Sequence, residues 1–200
     1  GTREAIRLTR NTLFVCAACY LTIEWAGLQS IVLSFPEVLV LVIQDEDVPP
    51  TQVDRAFRQA GLLPYVSRAD ISTGFPTLQE MIESGGRLLV FAENETSPRV
   101  PWYHPAFEFI KETPYHFTAA SRMNCRPNRG PENAPLFLIN NWIDSSPAPR
   151  PSNARKVNSE SFLWNRVETC QKQRGSFPNL IAVDFYREGN LFQVVDRLNG

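Results

Sequence analysis

The sequence carries almost no net charge: 20 lysines and arginines stand against 21 aspartates and glutamates, leaving -1 over 200 residues. That balance provides no field to gather a polyanion, so a general nucleic-acid-binding role is disfavoured. Long apolar runs are lacking too. Leu13 to Ile23 follows Arg3, Arg7 and Arg10 in the manner of a signal peptide, but Glu24 stops it well short of the roughly 20 apolar residues of a spanning helix, and no small-residue cleavage site follows. A buried strand is the better reading, and no transmembrane segment is expected. Cysteine is sparse: Cys16, Cys19, Cys125 and Cys170 are too few for a disulfide-built scaffold and enough for one or two bridges. Cys16 and Cys19 form a CxxC inside an apolar run, with no second pair or nearby histidine to complete a zinc site, so no metal or cofactor is expected.

Several catalytic signatures are missing as well. Neither GxGxxG nor GxxxxGK[ST] occurs, which removes the usual phosphate-cradling turn of a doubly wound nucleotide-binding fold. GxSxG, HExxH and an EF-hand loop are also absent, leaving serine hydrolase, zincin and calcium-loop readings without support. Only two histidines occur. His104 (Pro-Trp-Tyr-His-Pro) and His116 (Pro-Tyr-His-Phe) sit in loop or helix-start segments, away from the strand ends where a barrel places its catalysts.

What the sequence does contain is an alternation of apolar strands and amphipathic helices. Val38 to Ile43 is a continuous apolar run ending at Gln44, Asp45, Glu46 and Asp47, as expected of a strand buried on both faces. Pro49 and Pro50 then open a helix with Val53, Ala56, Phe57 and Ala60 on one face, closed by Gly61. A short helix from near Pro76, with Leu78, Met81 and Ile82 on one face, stops at Gly85-Gly86 before the strand Arg87 to Ala92, which ends at Glu93 and Asn94. Pro135 to Ile139 is a further strand, ending at Asn140 and Asn141. A helix over Ser161 to Arg174 turns Leu163, Val167 and Cys170 inward and stops at Gly175, ahead of the strand Leu180 to Val183 and then Asp184. A last helix carries Leu191, Val194, Val195 and Leu198, with Asn190 as its N-cap. Ser145 to Pro151 is a Pro-rich loop. With Leu13 to Leu21 as a front strand, five strands alternate with helices, which means a parallel sheet; without a nucleotide-binding turn, a TIM-type (β/α) barrel is favoured. A full barrel needs about 250 residues, so the chain, 1–200, reads as a single domain holding the later portion of a barrel incomplete at its N-terminus.

Barrels gather their working groups at the carboxyl ends of the strands. Those ends supply Asp45, Glu46 and Asp47, then Glu93, then Asn140, Asn141 and Trp142, then Asp184. Carboxylates accept from hydroxyls and amides both donate and accept, so this rim suits orienting a general base, coordinating a cation or hydrogen-bonding a polyol. Asp184, directly after Ile-Ala-Val, is the strongest single candidate.

The segments Phe35-Pro36-Glu37-Val38 through Ile43-Gln44-Asp45-Glu46, Phe75-Pro76-Thr77-Leu78 through Arg87-Leu88-Leu89-Val90-Phe91, Asn124-Cys125-Arg126-Pro127-Asn128-Arg129-Gly130 and Pro178-Asn179-Leu180 through Asp184-Phe185-Tyr186 occur in one order. As an ordered set they resemble the phosphatidylinositol-specific phospholipase C X-domain-like proteins of the PLC-like phosphodiesterase superfamily. The resemblance spans roughly Phe14 to Leu198. It implies an incomplete TIM-type barrel and a phosphoric diester hydrolase acting in lipid metabolism, with one histidine as general base and another as general acid. Neither histidine has its counterpart. No Gly-Thr-His-like motif occurs, and the place of a Cys-His pair reads Cys16-Ala17. The resemblance assigns catalytic support to Asp184 and Asp45, and substrate contact to Glu46, Asn140, Asn141 and Trp142, where the family more often has histidine in place of Asn141; the strand-end position adds Glu93 to the substrate contacts. It also makes Cys125 and Cys170 reasonable disulfide partners. Expected partners are a phospholipid or inositol-phosphate-like ligand and a peripheral membrane contact. The alternative is a non-catalytic, degenerate barrel that binds an inositol-phosphate head group or a protein. The sequon Asn94-Glu95-Thr96 leans the localisation towards extracellular or secreted.

Overall fold

The computed structural model describes the backbone of Thr12–Ala18 and residues 38–200 in full. It is a mixed α/β protein whose described strands are all parallel, in two sheets. Backbone contacts divide the described residues into two compact units, one ending at Ala106 and the other beginning at Phe107.

In the first unit, β1 (Thr12–Ala18), β2 (Val38–Gln44), β3 (Leu88–Ala92) and β4 (Tyr103–Pro105) lie in that order in the sheet. The front strand thus falls where expected through Ala18; the rest of that reading, and Cys19, lie outside the described residues. β2 is buried along its apolar length from Val38 to Ile43, because strands pair with it on both sides and α1 (Pro50–Gln59) covers it. Leu39, Leu41 and Ile43 pack with Val53, Phe57 and Trp102 in one cluster, each large side chain contributing about 1.5–3 kcal/mol on burial. α1 begins at Pro50, whose missing N–H is not needed in a first turn, and Gly61 follows it at φ +65. α2 (Leu78–Ser84) starts with a capping box that sequence reading did not register: the Glu80 amide donates to Thr77 Oγ1 at 3.2 Å and the Thr77 amide to Glu80 Oε2 at 2.7 Å. Only Met81 of α2 is buried. Ile82, expected on the inner face, is 42% exposed, because this helix of about two turns seats only Met81 in the core.

In the second unit, β5 (Ile110–Glu112), β6 (Leu136–Asn141) and β7 (Leu180–Val183) form the sheet in chain order. β6 runs two residues beyond its expected end, so Asn140 and Asn141 are strand residues buried in the sheet. α3 (Pro151–Val157) begins at the last residue of what reads as a Pro-rich loop; Pro151 at its first position is where helices accept proline. α4 (Glu160–Arg174) buries Leu163, Val167 and Cys170 as expected, and α5 (Leu191–Asn199) adds Val194 and Val195 to the same core with Phe137, Ile139 and Ile181. Asn190 stands at the start of α5, yet its side chain makes no cap bond. A disulfide joins Cys125 to Cys170 inside this core, the pairing that the resemblance suggested. No helix among the described residues is long and apolar enough to cross a membrane.

Candidate functional site

In the first unit the strand ends are organised by Asp45. Its buried carboxylate accepts from the Asn94 amide at 2.8 Å, the Asn94 side chain at 3.3 Å and the Glu95 amide at 3.1 Å, and so holds the loop after β3 against the end of β2. A carboxylate carrying three such bonds acts as a loop clamp. Glu46 is exposed, and Glu93 is half-buried with its amide donating to Ile43 O at 3.0 Å. His104 is tucked against Phe91, with ring centroids 6.0 Å apart, and burial pushes its imidazole below the usual histidine value against the opposing pull of Asp70.

The second unit holds a denser polar network around Glu112, the last residue of β5. Glu112 is 1% exposed and accepts from Arg129 Nε at 2.5 Å, Asn128 Nδ2 at 2.7 Å, Asn140 Nδ2 at 2.9 Å and Arg129 Nη2 at 3.2 Å. The Arg129 guanidinium is sandwiched between rings, 3.9 Å from Phe107 and 4.7 Å from Tyr115. Gly130 lets the chain pass: its φ is +82, and a Cβ there would run into the Ile110 carbonyl. Asn140 donates also to Thr113 O at 2.7 Å, and its carbonyl accepts from Arg166 Nη2 at 3.0 Å. Arg166 comes from α4, where burial pushes its guanidinium down to about 10, still charged at neutral pH.

Asn158, at the end of α3, connects this network to Asp184. Its side-chain oxygen accepts from Asn141 Nδ2 at 3.1 Å, while its Nδ2 donates to Asp184 O at 3.0 Å and Glu188 O at 3.1 Å. Its carbonyl accepts the Asn190 amide at 2.8 Å, and Gly189, at φ +91, leaves room where a Cβ would meet that carbonyl at 2.6 Å. The loop after β7 is thereby fixed, with the half-buried Asp184 at its start and Phe185 in the left-handed region at φ +48. Burial, and then the negative charge of nearby Asp144, push the Asp184 carboxyl above its usual value.

Asp144 follows β6 and lines a cleft of about 440 Å³ together with Thr118, Ser145, Arg150, Asn153 and Lys156. Trp142 Nε1 donates to Asp144 Oδ1 at 3.3 Å, and His116 Nδ1 lies 2.8 Å from Asp144 Oδ2. Asn153 Nδ2 donates to Ser145 Oγ at 3.1 Å. Lys156 is exposed and has no acidic partner among the described residues.

Of the residues expected to form a site, the structure brings Asn140, Asn141, Trp142 and Asp184 into one unit, and Asp45, Glu46 and Glu93 into the other. Asn140 and Asn141 are buried supports; Trp142 orients a carboxylate. Glu112, Asp144, Arg129, Asn158 and Arg166 escaped sequence reading. Arg166 had a signal, since it lies three residues after Leu163 and four before Cys170, a charge on the inward stripe of an amphipathic helix. Among the described residues no group of three or more His, Cys, Asp or Glu is placed to hold a metal ion.

Parallel sheets whose polar groups collect at the carboxyl ends of the strands define an α/β protein with a strand-end site. The chain belongs to the PI-PLC X family: the family model described as PI-PLC X 1 matches residues 28–199. It is similar to PI-PLC X domain-containing protein 1 of Arthroderma benhamiae, 26% identical over 180 residues, which cover 82% of this chain. The match spans 59% of that relative's length. No solved structure matches the chain.

Proposed function

We propose that the chain is a phosphoric diester hydrolase of the phosphatidylinositol phospholipase C type, acting in lipid metabolism on a phospholipid or inositol-phosphate-like ester. One observation carries this reading: Asp144, after β6, lines a cleft that bears Arg150 and Lys156, and Asp184, after the paired strand β7, is near enough to feel the charge of Asp144. A guanidinium and an ammonium hold a phosphate by charge-assisted hydrogen bonds. A carboxyl that retains its proton more readily than usual is suited to protonate a leaving alkoxide. The barrel topology belongs to the same reading, supported by parallel strands throughout and by a family match that runs through both units. Asp45, with its carboxylate committed to the Asn94–Glu95 loop, shapes a strand-end loop in this scheme. The competing reading is a non-catalytic module that binds an inositol phosphate in the same cleft, supported by Cys16-Ala17 at the place where the family pattern has a Cys-His pair.

Release of a phosphorylated head group from phosphatidylinositol vesicles and from soluble glycerophosphoinositol separates the two. Asp184→Asn is expected to lower kcat by roughly 10²–10⁴-fold with little change in KM. Binding of inositol phosphates without any cleavage would establish the binding module in its place. The pH dependence of stability supplies a further check. Because folding raises the Asp184 carboxyl above its unfolded value, its contribution is full below the unfolded pKa and is lost as pH rises through the higher folded one. Asp184→Asn should therefore melt no lower than the wild type at neutral pH, and a clear drop would mark Asp184 as structural.

The membrane contact is proposed for the loop after β7 and the first turn of α5. Phe185, Tyr186 and Phe192 are all exposed, Tyr186 and Phe192 meet edge to face at 6.3 Å, and the exposed Arg187 donates to Tyr186 Oη at 3.0 Å. Aromatic rings beside a cation suit an anionic lipid interface. A Phe185→Ser/Tyr186→Ser/Phe192→Ser variant is expected to partition onto phosphatidylinositol-containing vesicles at least about tenfold less, while still cleaving the soluble substrate. Unchanged vesicle binding would exclude this surface. An extracellular or secreted location is proposed on the disulfide and on the exposed sequon at Asn94, since disulfides persist in oxidising compartments.

A further inference from the structure

We infer that Asn94 carries an N-linked oligosaccharide, attached to its side-chain amide while the chain passes through an oxidising secretory compartment. The inference rests on the extracellular reading above and assigns a covalent site to it.

Asn94-Glu95-Thr96 is the one Asn-X-Ser/Thr sequence in the chain, and neither its middle residue nor the Ser97 that follows is proline. The fold puts it where a modifying enzyme can reach it. β3 ends at Ala92, a bend carries the chain out of the sheet, and Asn94, Glu95 and Thr96 are all exposed on the loop beyond. Surface loops of this kind accept bulky additions without disturbing a core. The loop is held chiefly through its backbone: the Asn94 backbone amide donates to Asp45 Oδ1 at 2.8 Å and the Glu95 backbone amide to Oδ2 at 3.1 Å. The Asn94 side-chain nitrogen adds a longer bond to Oδ1, at 3.3 Å. A carboxamide nitrogen carries two N–H groups, so one is open to substitution while the other keeps that bond. The Asp45 clamp therefore survives the modification.

A second, independent observation concerns the compartment. Cys125 and Cys170 are joined by a disulfide inside the core of the second unit, and such bonds form and persist where a chain folds in an oxidising environment. The same route supplies the sugar donor, an oligosaccharide linked through pyrophosphate to a lipid. Asn94 Nδ2 bonds to the anomeric carbon of the first sugar as the bond from that carbon to the pyrophosphate oxygen breaks. The lipid pyrophosphate leaves with the electron pair, one amide proton is lost, and nothing is oxidised or reduced. A hydrated oligosaccharide then keeps the loop after β3 in water, so that this loop takes no part in a membrane contact.

The experiment sends the full chain into the secretory pathway of a eukaryotic host behind a leader peptide, and compares gel mobility before and after an amidase that removes N-linked glycans. The wild type is expected to run as a heavier species that the amidase converts to the mobility of Asn94→Gln and Thr96→Ala, neither of which shifts. Thr96→Ala leaves the Asn94 side chain and its bond to Asp45 in place, so loss of the shift in that variant reports the sequon and not the fold. Peptide mass spectrometry of the amidase-treated wild type should find residue 94 converted to aspartate. Secreted wild type with the Cys125–Cys170 bridge formed and no amidase shift would overturn the inference and leave the extracellular reading standing. A shift that persists in both variants would also overturn it. Protein from its natural source with both cysteines reduced and Asn94 unmodified would overturn the two readings together.

Discussion

Glu112→Leu is expected to destabilise the second unit by about 3–5 kcal/mol, because it removes one partner of a buried ion pair and leaves the rest of the cluster without its acceptor. The carboxylate takes four hydrogen bonds, from both Arg129 nitrogens, Asn128 and Asn140. Asn128 is exposed and the Arg129 side chain partly so, which leaves Asn140 as the donor with no route to water. Asn140 is a buried strand residue, and the Arg129 guanidinium is clamped between Phe107 and Tyr115. Glu112→Gln separates shape from charge: it keeps the volume, yet turns an amide N–H towards donors that need an acceptor, so it should lose much of the same stability. Urea unfolding followed by circular dichroism measures both variants. A midpoint shift worth under about 1 kcal/mol for Glu112→Leu would mean that the cluster contributes little net stability.

The Cys125–Cys170 bridge carries the second large effect. It closes a loop across 45 residues, and the chain-entropy estimate for a loop of that length is about 4 kcal/mol. Both sulfurs lie in the core beside Ile139, Leu163 and Val167, so the bridge ties the segment before β6 to α4 at the centre of the packing. Cys125→Ala/Cys170→Ala is expected to lose stability of that order and to become indifferent to reducing agent, whereas the wild type under dithiothreitol should fall to about the level of the variant. Equal unfolding midpoints for oxidised and reduced wild type would show that the bridge constrains nothing that matters.

The alternation of strands and helices was legible because each pattern is local. The apolar run Val38 to Ile43 is a strand whatever surrounds it, and the spacing of Leu163, Val167 and Cys170 declares a helix face. β4 and β5 were not legible: three residues each give no period to read, and their pairing with β3 and β6 is a long-range event. The site divides in the same way. Asp184 was visible as a charge ending an apolar strand, whereas Asp144 gained its place only from the cleft it lines with Thr118, 26 positions earlier and on another loop. Asn140 and Asn141 were visible as polar strand-end residues, but a sequence does not say whether an amide faces a ligand or a neighbour. Here they face Glu112 and Asn158.

The amide of Asn158 has a bearing on how this protein can change over generations. It binds Asn141 on one side and the carbonyls of Asp184 and Glu188 on the other, so the pose of the strand-end acid is inherited from the last residue of a neighbouring strand. Asn141 Oδ1 is buried with no hydrogen-bond partner among the described residues, a deficit of about 1–3 kcal/mol built into the link. Substitutions at position 141 therefore have two levers at once, relieving that deficit and shifting Asp184. Selection can retune the acid through a position that no ligand ever touches.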